Sequence, residues 1–104
     1  MLTGARVGTH DIKRAIAFYD AVAGALGAAR AIDRHGLAGW RGAAGELFMV
    51  GIPRDGETCV GNGSQLMFAA QSRDAVDTAH ARALEMGGTC EGPPGPRGAA
   101  ENGI

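Results

Sequence analysis

The feature of this sequence that most restricts its fold is a local pattern that occurs twice. An apolar stretch, a helix-capping residue, an apolar stripe at helical spacing and a terminating glycine span residues 2–27 and recur over residues 64–87. Ala25-Leu26-Gly27-Ala28 corresponds to Glu85-Met86-Gly87-Gly88, an offset of about 60 residues. A repeat of this size predicts a duplicated supersecondary unit.

The first copy predicts one helix and four strands. Asp11 is a suitable N-cap, and the apolar residues after it follow helical spacing, so a helix is expected over residues 11–26, ended by Gly27. Gly36 is expected to adopt a positive φ in a turn between two strands. The strands are predicted at residues 2–9, 28–33, 37–41 and 46–52.

The second copy predicts a strand over residues 64–70 and a helix over residues 73–86, with Ser72 as its N-cap. A further strand is expected to start at residues 89–91. The chain has 104 residues, so 16 follow Gly88, too few for the three strands that follow Gly27 in the first copy. The sequence therefore predicts one domain with a complete first module over residues 1–53, a linker over 54–62 and a partial second module over 63–104.

Charge and apolar patterning exclude several classes of partner. The formal net charge is −1 and no segment concentrates Lys and Arg, which argues against a nucleic-acid-binding surface. No apolar run approaches the ~20 residues that span a bilayer, and the N-terminus lacks the apolar block of a signal peptide. Cys59 and Cys90 do not have metal or redox spacing, which favours two free thiols and a cytoplasmic location.

Several stretches together carry a family resemblance. They are Val7-Gly-Thr-His-Asp-Ile12, Ala17-Phe-Tyr-Asp20, Gly61-Asn-Gly-Ser-Gln-Leu-Met-Phe-Ala-Ala70, Ser72-Arg-Asp-Ala-Val-Asp77, Gly87-Gly88 and Gly92-Pro-Pro-Gly-Pro-Arg97. In combination the chain resembles the glyoxalase-like branch of the vicinal-oxygen-chelate superfamily, which includes glyoxalase I, bleomycin and fosfomycin resistance proteins and extradiol dioxygenases. The resemblance implies an α+β fold in which paired βαβββ modules form a curved mixed sheet around a cleft, with the second module incomplete in this chain.

The resemblance also implies where metal ligands would lie in metal-using members. They commonly carry His in the first strand, where this chain has Gly4, and His in the fifth strand, where it has Gln65. Glutamine can act as a ligand in some glyoxalases, but glycine has no donor side chain. A closing Glu is usual in the last strand, and we expect that strand to be absent from the 104 residues. The expected cofactor is therefore none, although a divalent metal stays an option that these residues do not support.

Strand parity, anchored on these positions, predicts the residues that face the cleft. Arg6 shares a face with Gly4, and Met67 shares a face with Gln65, whereas Leu66 and Phe68 should pack beneath the helix. Arg6 and Gln65 would offer fixed donors to an anion; the alternative is that Arg6 is a solvated residue. Trp40, the single Trp, either stacks on a ligand or fills the core or a dimer interface.

These expectations favour a small-molecule-binding protein without the usual divalent metal, whose ligand is a small organic molecule, an anion being one option. Two alternatives stay open. One is a metal-dependent lyase or dioxygenase-like enzyme acting on a vicinal-oxygen substrate; the other is a degenerate, non-catalytic member. A homodimer is expected, because an unfinished module leaves strand edges and apolar faces to cover.

Overall fold

The first sequence copy forms the predicted βαβββ module. The structure, a computed structural model, describes residues 2–59 and 61–95. Strand β1 (Gly4–Gly8) leads into helix α1 (Ile12–Ala25), which is followed by strands β2 (Ala29–Arg34), β3 (Leu37–Arg41) and β4 (Leu47–Gly51). The sheet order is β1-β4-β3-β2, with β1 parallel to β4 and the other pairs antiparallel. The α+β class and the mixed sheet are therefore confirmed.

Local capping sets the ends of α1. The Asp11 carboxylate accepts a hydrogen bond from the backbone N–H of Arg14 at 3.2 Å, which satisfies one of the free donors in the first turn. At the other end Gly27 has a φ of +84°, and the N–H of Ala28 donates to the carbonyl of Ala23 at 2.9 Å. Glycine adopts this left-handed conformation without a Cβ penalty, which explains why the helix stops there.

The core lies between α1 and one face of the sheet. Val22 of α1 is buried, as are Ala38, Trp40 and Val50 of the sheet, and Val7 and Phe48 pack against this cluster. Alternation along β3 and β4 directs the pairs Trp40–Phe48 and Ala38–Val50 toward α1.

The pairs Gly39–Met49 and Leu37–Gly51 consequently point to the opposite face of the sheet. We call this the open face, because neither helix of the described part of the chain packs on it.

The second copy repeats the helix and its caps. Helix α2 (Arg73–Glu85) begins at Ser72, whose hydroxyl accepts from the N–H of Ala75 at 3.1 Å. After Gly87, with a φ of +100°, the N–H of Gly88 donates to the carbonyl of Ala83 at 2.7 Å. Helix α2 packs on α1, makes no contact with the sheet and has no buried residue. Neither described helix is both long and apolar enough to cross a membrane.

The predicted strand over residues 64–70 is wrong, as is the strand start at 89–91. Both stretches have an irregular backbone, and Leu66, Met67 and Phe68 are 46, 69 and 47% exposed. A strand requires a hydrogen-bonded neighbour, and no strand of the described chain pairs with residues 64–70. Residues 96–104 of the predicted partial module lie outside the described part.

Candidate functional site

A cavity of about 540 Å³ lies between α1, the ends of β3 and β4, and the segment that leads into α2. We call it the aromatic cavity. It is lined by Leu2, Tyr19, Val22, Ala23, Leu26, Ala28, Trp40, Gly42, Ala43, Ala44, Glu46, Phe48, Met67, Phe68, Ala69, Ala70 and Gln71. Ligand pockets typically measure about 300–1,000 Å³ and have mostly apolar walls, so both its size and its lining suit a small organic molecule.

Four aromatic rings form a connected wall of the cavity. The Tyr19 ring lies 5.5 Å from Trp40 and 4.9 Å from Phe48, and Phe48 lies 5.0 Å from Phe68 in an edge-to-face arrangement. These are the separations that aromatic pairs prefer. The rings come from α1, β3, β4 and the segment before α2, so the wall exists only when all four parts of the chain are folded.

The indole N–H of Trp40 already has a hydrogen-bond acceptor within the protein. Its indole Nε1 donates to the carboxylate of Asp20 at 2.9 Å, and Asp20 also forms an ion pair with Arg30 at 3.5 Å. Trp40 is 2% exposed, so this acceptor satisfies a buried N–H. The indole therefore offers the cavity its apolar surface and not a hydrogen-bond donor.

Tyr19 carries the hydroxyl of the cavity wall. Burial raises the pKa of Tyr19 above its ordinary value of 10.0, because desolvation disfavours the phenolate. The hydroxyl is therefore protonated and neutral throughout the physiological pH range. It can donate one hydrogen bond to a ligand and accept others.

Arg6 lies on the open face, across the sheet from the cavity. Its Nη2 donates to the carbonyl of Ile52 at 3.3 Å and lies over Gly51. A Cβ added at Gly51 would come within 2.7 Å of this nitrogen, so glycine provides the room that the guanidinium occupies. The side chain is exposed, and within residues 2–59 and 61–95 its remaining N–H groups have no other partner, so they can donate to an anion.

The residues that were predicted to face one cleft therefore lie in different places in the structure. Trp40 and Met67 line the aromatic cavity, Arg6 lies on the open face, and Gln65 is exposed and does not line the cavity. The division follows from strand register, because Trp40 pairs with Phe48 on the α1 side, whereas Arg6 pairs with Met49 on the other side. Phe68 packs toward the α1 side, as predicted, but the neighbouring Met67 lines the same cavity because this segment does not alternate as a strand.

The side chains at the family's ligand positions do not fit a divalent metal. Gly4 has no donor, and a Cβ built there would lie 2.7 Å from the backbone carbonyl oxygen of Leu47, so the position has no room for a ligand side chain. Within residues 2–59 and 61–95, no three His, Cys, Asp or Glu side chains are grouped as a metal site. His10 contacts Glu57 and the backbone of Thr58, and His80 lies 3.6 Å from Cys90.

The sequence interpretation missed Asp20, Glu46 and Phe68 as residues of the site. Asp20 offered the clearest sequence signal of the three, because it follows Ile16 by four residues and so lies on the same side of α1 as a residue of the apolar stripe. It is exposed, and its carboxylate reaches the core through the indole of Trp40. Glu46 gave no comparable signal, and Phe68 was predicted to pack beneath the helix but not to line a site. Their place at the cavity depends on how the β3–β4 turn and the segment before α2 fold over α1.

A four-stranded mixed sheet of βαβββ order, with a second helix packed on the first, defines a glyoxalase-like fold. A glyoxalase/bleomycin resistance protein from Albidiferax ferrireducens T118 is similar, with a TM-score of 0.84 and 38% sequence identity over 93% of this chain and 79% of that one. The chain belongs to the glyoxalase/bleomycin resistance protein family, within the vicinal-oxygen-chelate superfamily.

Two more distant structures share the fold. A possible glyoxalase from Bacillus cereus has a TM-score of 0.62 at 18% identity, covering 84% of this chain and 74% of that one. A glyoxalase/bleomycin resistance protein/dioxygenase from Nocardioides has a TM-score of 0.61 at 20% identity, covering 93% and 68%. Neither a protein-family model nor a curated protein sequence matches the chain.

Proposed function

We propose that this chain binds a small organic molecule in the aromatic cavity and does so without a divalent metal. The observation that carries the proposal is the cavity of about 540 Å³, whose walls are mostly apolar or aromatic. Cavities of this size and lining remove most of a small ligand's surface from water, which supplies the main favourable term in binding. A few polar groups at the wall then fix the ligand's orientation.

The metal-free part of the proposal is supported by Gly4 and Gln65. Gly4 supplies no donor, and the Leu47 carbonyl oxygen occupies the space that any side chain there would need. Gln65 stands at the other position where metal-using relatives commonly carry His, and a neutral amide is a weaker ligand for the usual divalent ions than imidazole.

A cavity-filling variant tests the binding site. Naphthalen-2-ylmethanol, a neutral flat probe, should bind the wild-type protein in a calorimetric titration. Ala69→Trp should abolish that binding because Ala69 lines the cavity, whereas Ala81→Trp, on the exposed surface of α2, should leave it unchanged. Equal binding by both variants would place the probe elsewhere and contradict the proposal.

Elemental analysis tests the metal-free part separately. Protein purified without a chelator should contain no stoichiometric Zn, Ni, Fe or Mn, and added EDTA should not change the affinity for the probe. One equivalent of bound metal that is needed for binding would refute it.

A second candidate is an anion site on the open face, favoured by the position of Arg6. Its guanidinium is held over Gly51 by the Ile52 carbonyl and keeps free donors for a carboxylate. A small aliphatic dicarboxylate should then bind, and Arg6→Ala should remove that binding while leaving the neutral probe unaffected. Retention of dicarboxylate binding by Arg6→Ala would eliminate this candidate.

We also propose that the protein is a cytoplasmic homodimer. The exposed Leu66, Met67 and Phe68 form an apolar stretch that a second copy would cover, and the free thiols of Cys59 and Cys90 are typical of a reducing compartment. Light scattering should give twice the mass of one chain, and Leu66→Glu should shift the protein toward monomer. A monomeric wild-type protein would contradict the dimer.

A further inference from the structure

The charged side chain that lines the aromatic cavity is acidic. Among the described side chains that line it, Glu46 is the only Asp, Glu, Lys, Arg or His. The other polar groups, the Tyr19 hydroxyl and the Gln71 amide, are neutral. Trp40 adds no donor, because its N–H already binds Asp20. No cationic side chain of the described residues lines the cavity.

The carboxylate of Glu46 has no counter-ion of its own. None of the ion pairs formed within residues 2–59 and 61–95 includes Glu46. The nearby guanidinium of Arg41 donates instead to the carbonyl of Gly45 at 3.0 Å. A ligand cation would therefore meet a carboxylate that forms no ion pair with any described side chain.

Gly42 positions this carboxylate at the cavity. One carboxylate oxygen of Glu46 occupies the space that a Cβ would take at Gly42, so the side chain folds back over the turn between β3 and β4. Gly42 and Glu46 both line the cavity, and the N–H of Gly42 donates to the backbone carbonyl of Glu46 at 2.9 Å. The absence of a side chain at Gly42 is thus a condition for the observed placement of the charge.

The aromatic wall favours the same ligand charge. The faces of Tyr, Trp and Phe rings attract cations within about 6 Å, and they repel anions. An anion entering the cavity would lose hydration without gaining a positive partner, which is unfavourable. A flat, apolar body suits the rings, and a positive group suits the Glu46 carboxylate.

We infer that the ligand of the aromatic cavity is an organic cation with an aromatic body, such as an arylalkyl ammonium, whose charged group pairs with Glu46. The inference rests on the proposed function, since it names the class of ligand for the same cavity. This cationic ligand differs from the anion that is expected to bind at Arg6, on the other face of the sheet.

Three probes with the same ring and different charge provide the test. Naphthalen-2-ylmethanammonium, naphthalen-2-ylmethanol and naphthalene-2-carboxylate are titrated calorimetrically at neutral pH. We expect the ammonium to bind about three- to tenfold more tightly than the alcohol, and the carboxylate to bind most weakly. Because Glu46 is exposed, the preference for the ammonium should shrink at high salt.

Variants separate the charge from the cavity. Glu46→Gln should abolish the preference for the ammonium over the alcohol, and Gly42→Ala should reduce that preference by displacing the carboxylate. Glu91→Gln removes an exposed carboxylate outside the cavity and should behave as wild type.

Different binding results would contradict the cationic ligand and the binding function itself. Binding of the alcohol without a preference for the ammonium, or a preference retained by Glu46→Gln, overturns the inference and leaves the binding function intact. Absence of binding by all three probes overturns both. Tightest binding by the carboxylate, lost in Arg6→Ala, overturns the inference in favour of the anion site.

Discussion

The indole Nε1 of Trp40 and the carboxylate of Asp20 form a hydrogen bond of 2.9 Å that joins β3 to α1. Trp40 lies in the core, and Asp20 faces it from the last half of the helix. The bond satisfies the one polar atom of the largest core side chain and at the same time sets which surface of that side chain faces the aromatic cavity.

Removing the acceptor should therefore destabilise the protein. Asp20→Ala leaves a buried N–H without a partner, and we expect the free energy of unfolding to fall by about 1–3 kcal/mol. Urea denaturation followed by Trp40 fluorescence measures the change. Asp33→Ala is the matched control, because the exposed carboxylate of Asp33 pairs with the same Arg30, at 3.6 Å, and does not accept the indole N–H; its effect should stay within about 0.5 kcal/mol. Equal effects of the two variants would mean that the indole bond contributes nothing.

The pH dependence of stability at alkaline pH should reflect the raised pKa of Tyr19. Its pKa is raised by burial in the folded state, so the folded protein holds the phenolic proton more tightly than the unfolded chain. The stabilisation is complete below pH 10.0, the ordinary pKa, and is lost as the pH rises through the folded value. Tyr19→Phe should lose less stability than wild type over that alkaline range.

Direct titration gives an independent measurement. Tyr19 is the single Tyr of the chain, so the ultraviolet absorbance of phenolate follows it alone. We expect a midpoint above 10.0 in the folded protein and a return to the ordinary value in denaturant. Identical midpoints in the two states would refute the desolvation of Tyr19.

Gly4 and Gly24 should respond in opposite directions to the same substitution. A Cβ at Gly4 would lie 2.7 Å from the Leu47 carbonyl oxygen, so Gly4→Ala must displace backbone and should destabilise by about 1–3 kcal/mol. A Cβ at Gly24 meets nothing within 4 Å, and Ala is the better helix former by about 0.5–1 kcal/mol, so Gly24→Ala should stabilise. Thermal denaturation of the pair measures both signs; a neutral Gly4→Ala would show that β1 can shift and would reopen that position to a ligand side chain.

Variants of Phe68 and Leu66 should distinguish a ligand in the aromatic cavity from one bound to the exposed stretch. Both are about half exposed on the segment before α2, but only Phe68 contacts Phe48 and lines the aromatic cavity. Phe68→Ala should lower the affinity for a neutral naphthalene probe about tenfold, since an aromatic contact and its buried area are lost. Leu66→Ala should leave the affinity unchanged, and calorimetric titration of both variants distinguishes a cavity ligand from one bound to the exposed stretch.

The elements of the first module followed from sequence because their signals are local. Asp11 and Gly27 mark the ends of α1, Gly36 marks the turn between β2 and β3, and alternation marks the strands. The prediction for residues 64–70 was wrong because an apolar stretch becomes a strand only when another strand pairs with it. The sequence predicted Trp40, Met67 and Arg6 to face one cleft; Trp40 and Met67 line the aromatic cavity whereas Arg6 lies on the open face, and that separation depends on strand register.

By itself, the sequence determined the order and type of the two helices and of strands β1 to β4, because caps, turns and periodicity act over a few residues. Only the tertiary structure decided which side chains meet. The Trp40–Asp20 bond, the ring contacts of Tyr19 and Phe48, and the space at Gly42 filled by Glu46 all join residues whose distance is set by packing of α1 on the sheet and by the path of one turn. No local pattern encodes those distances, so the candidate site emerged from the fold.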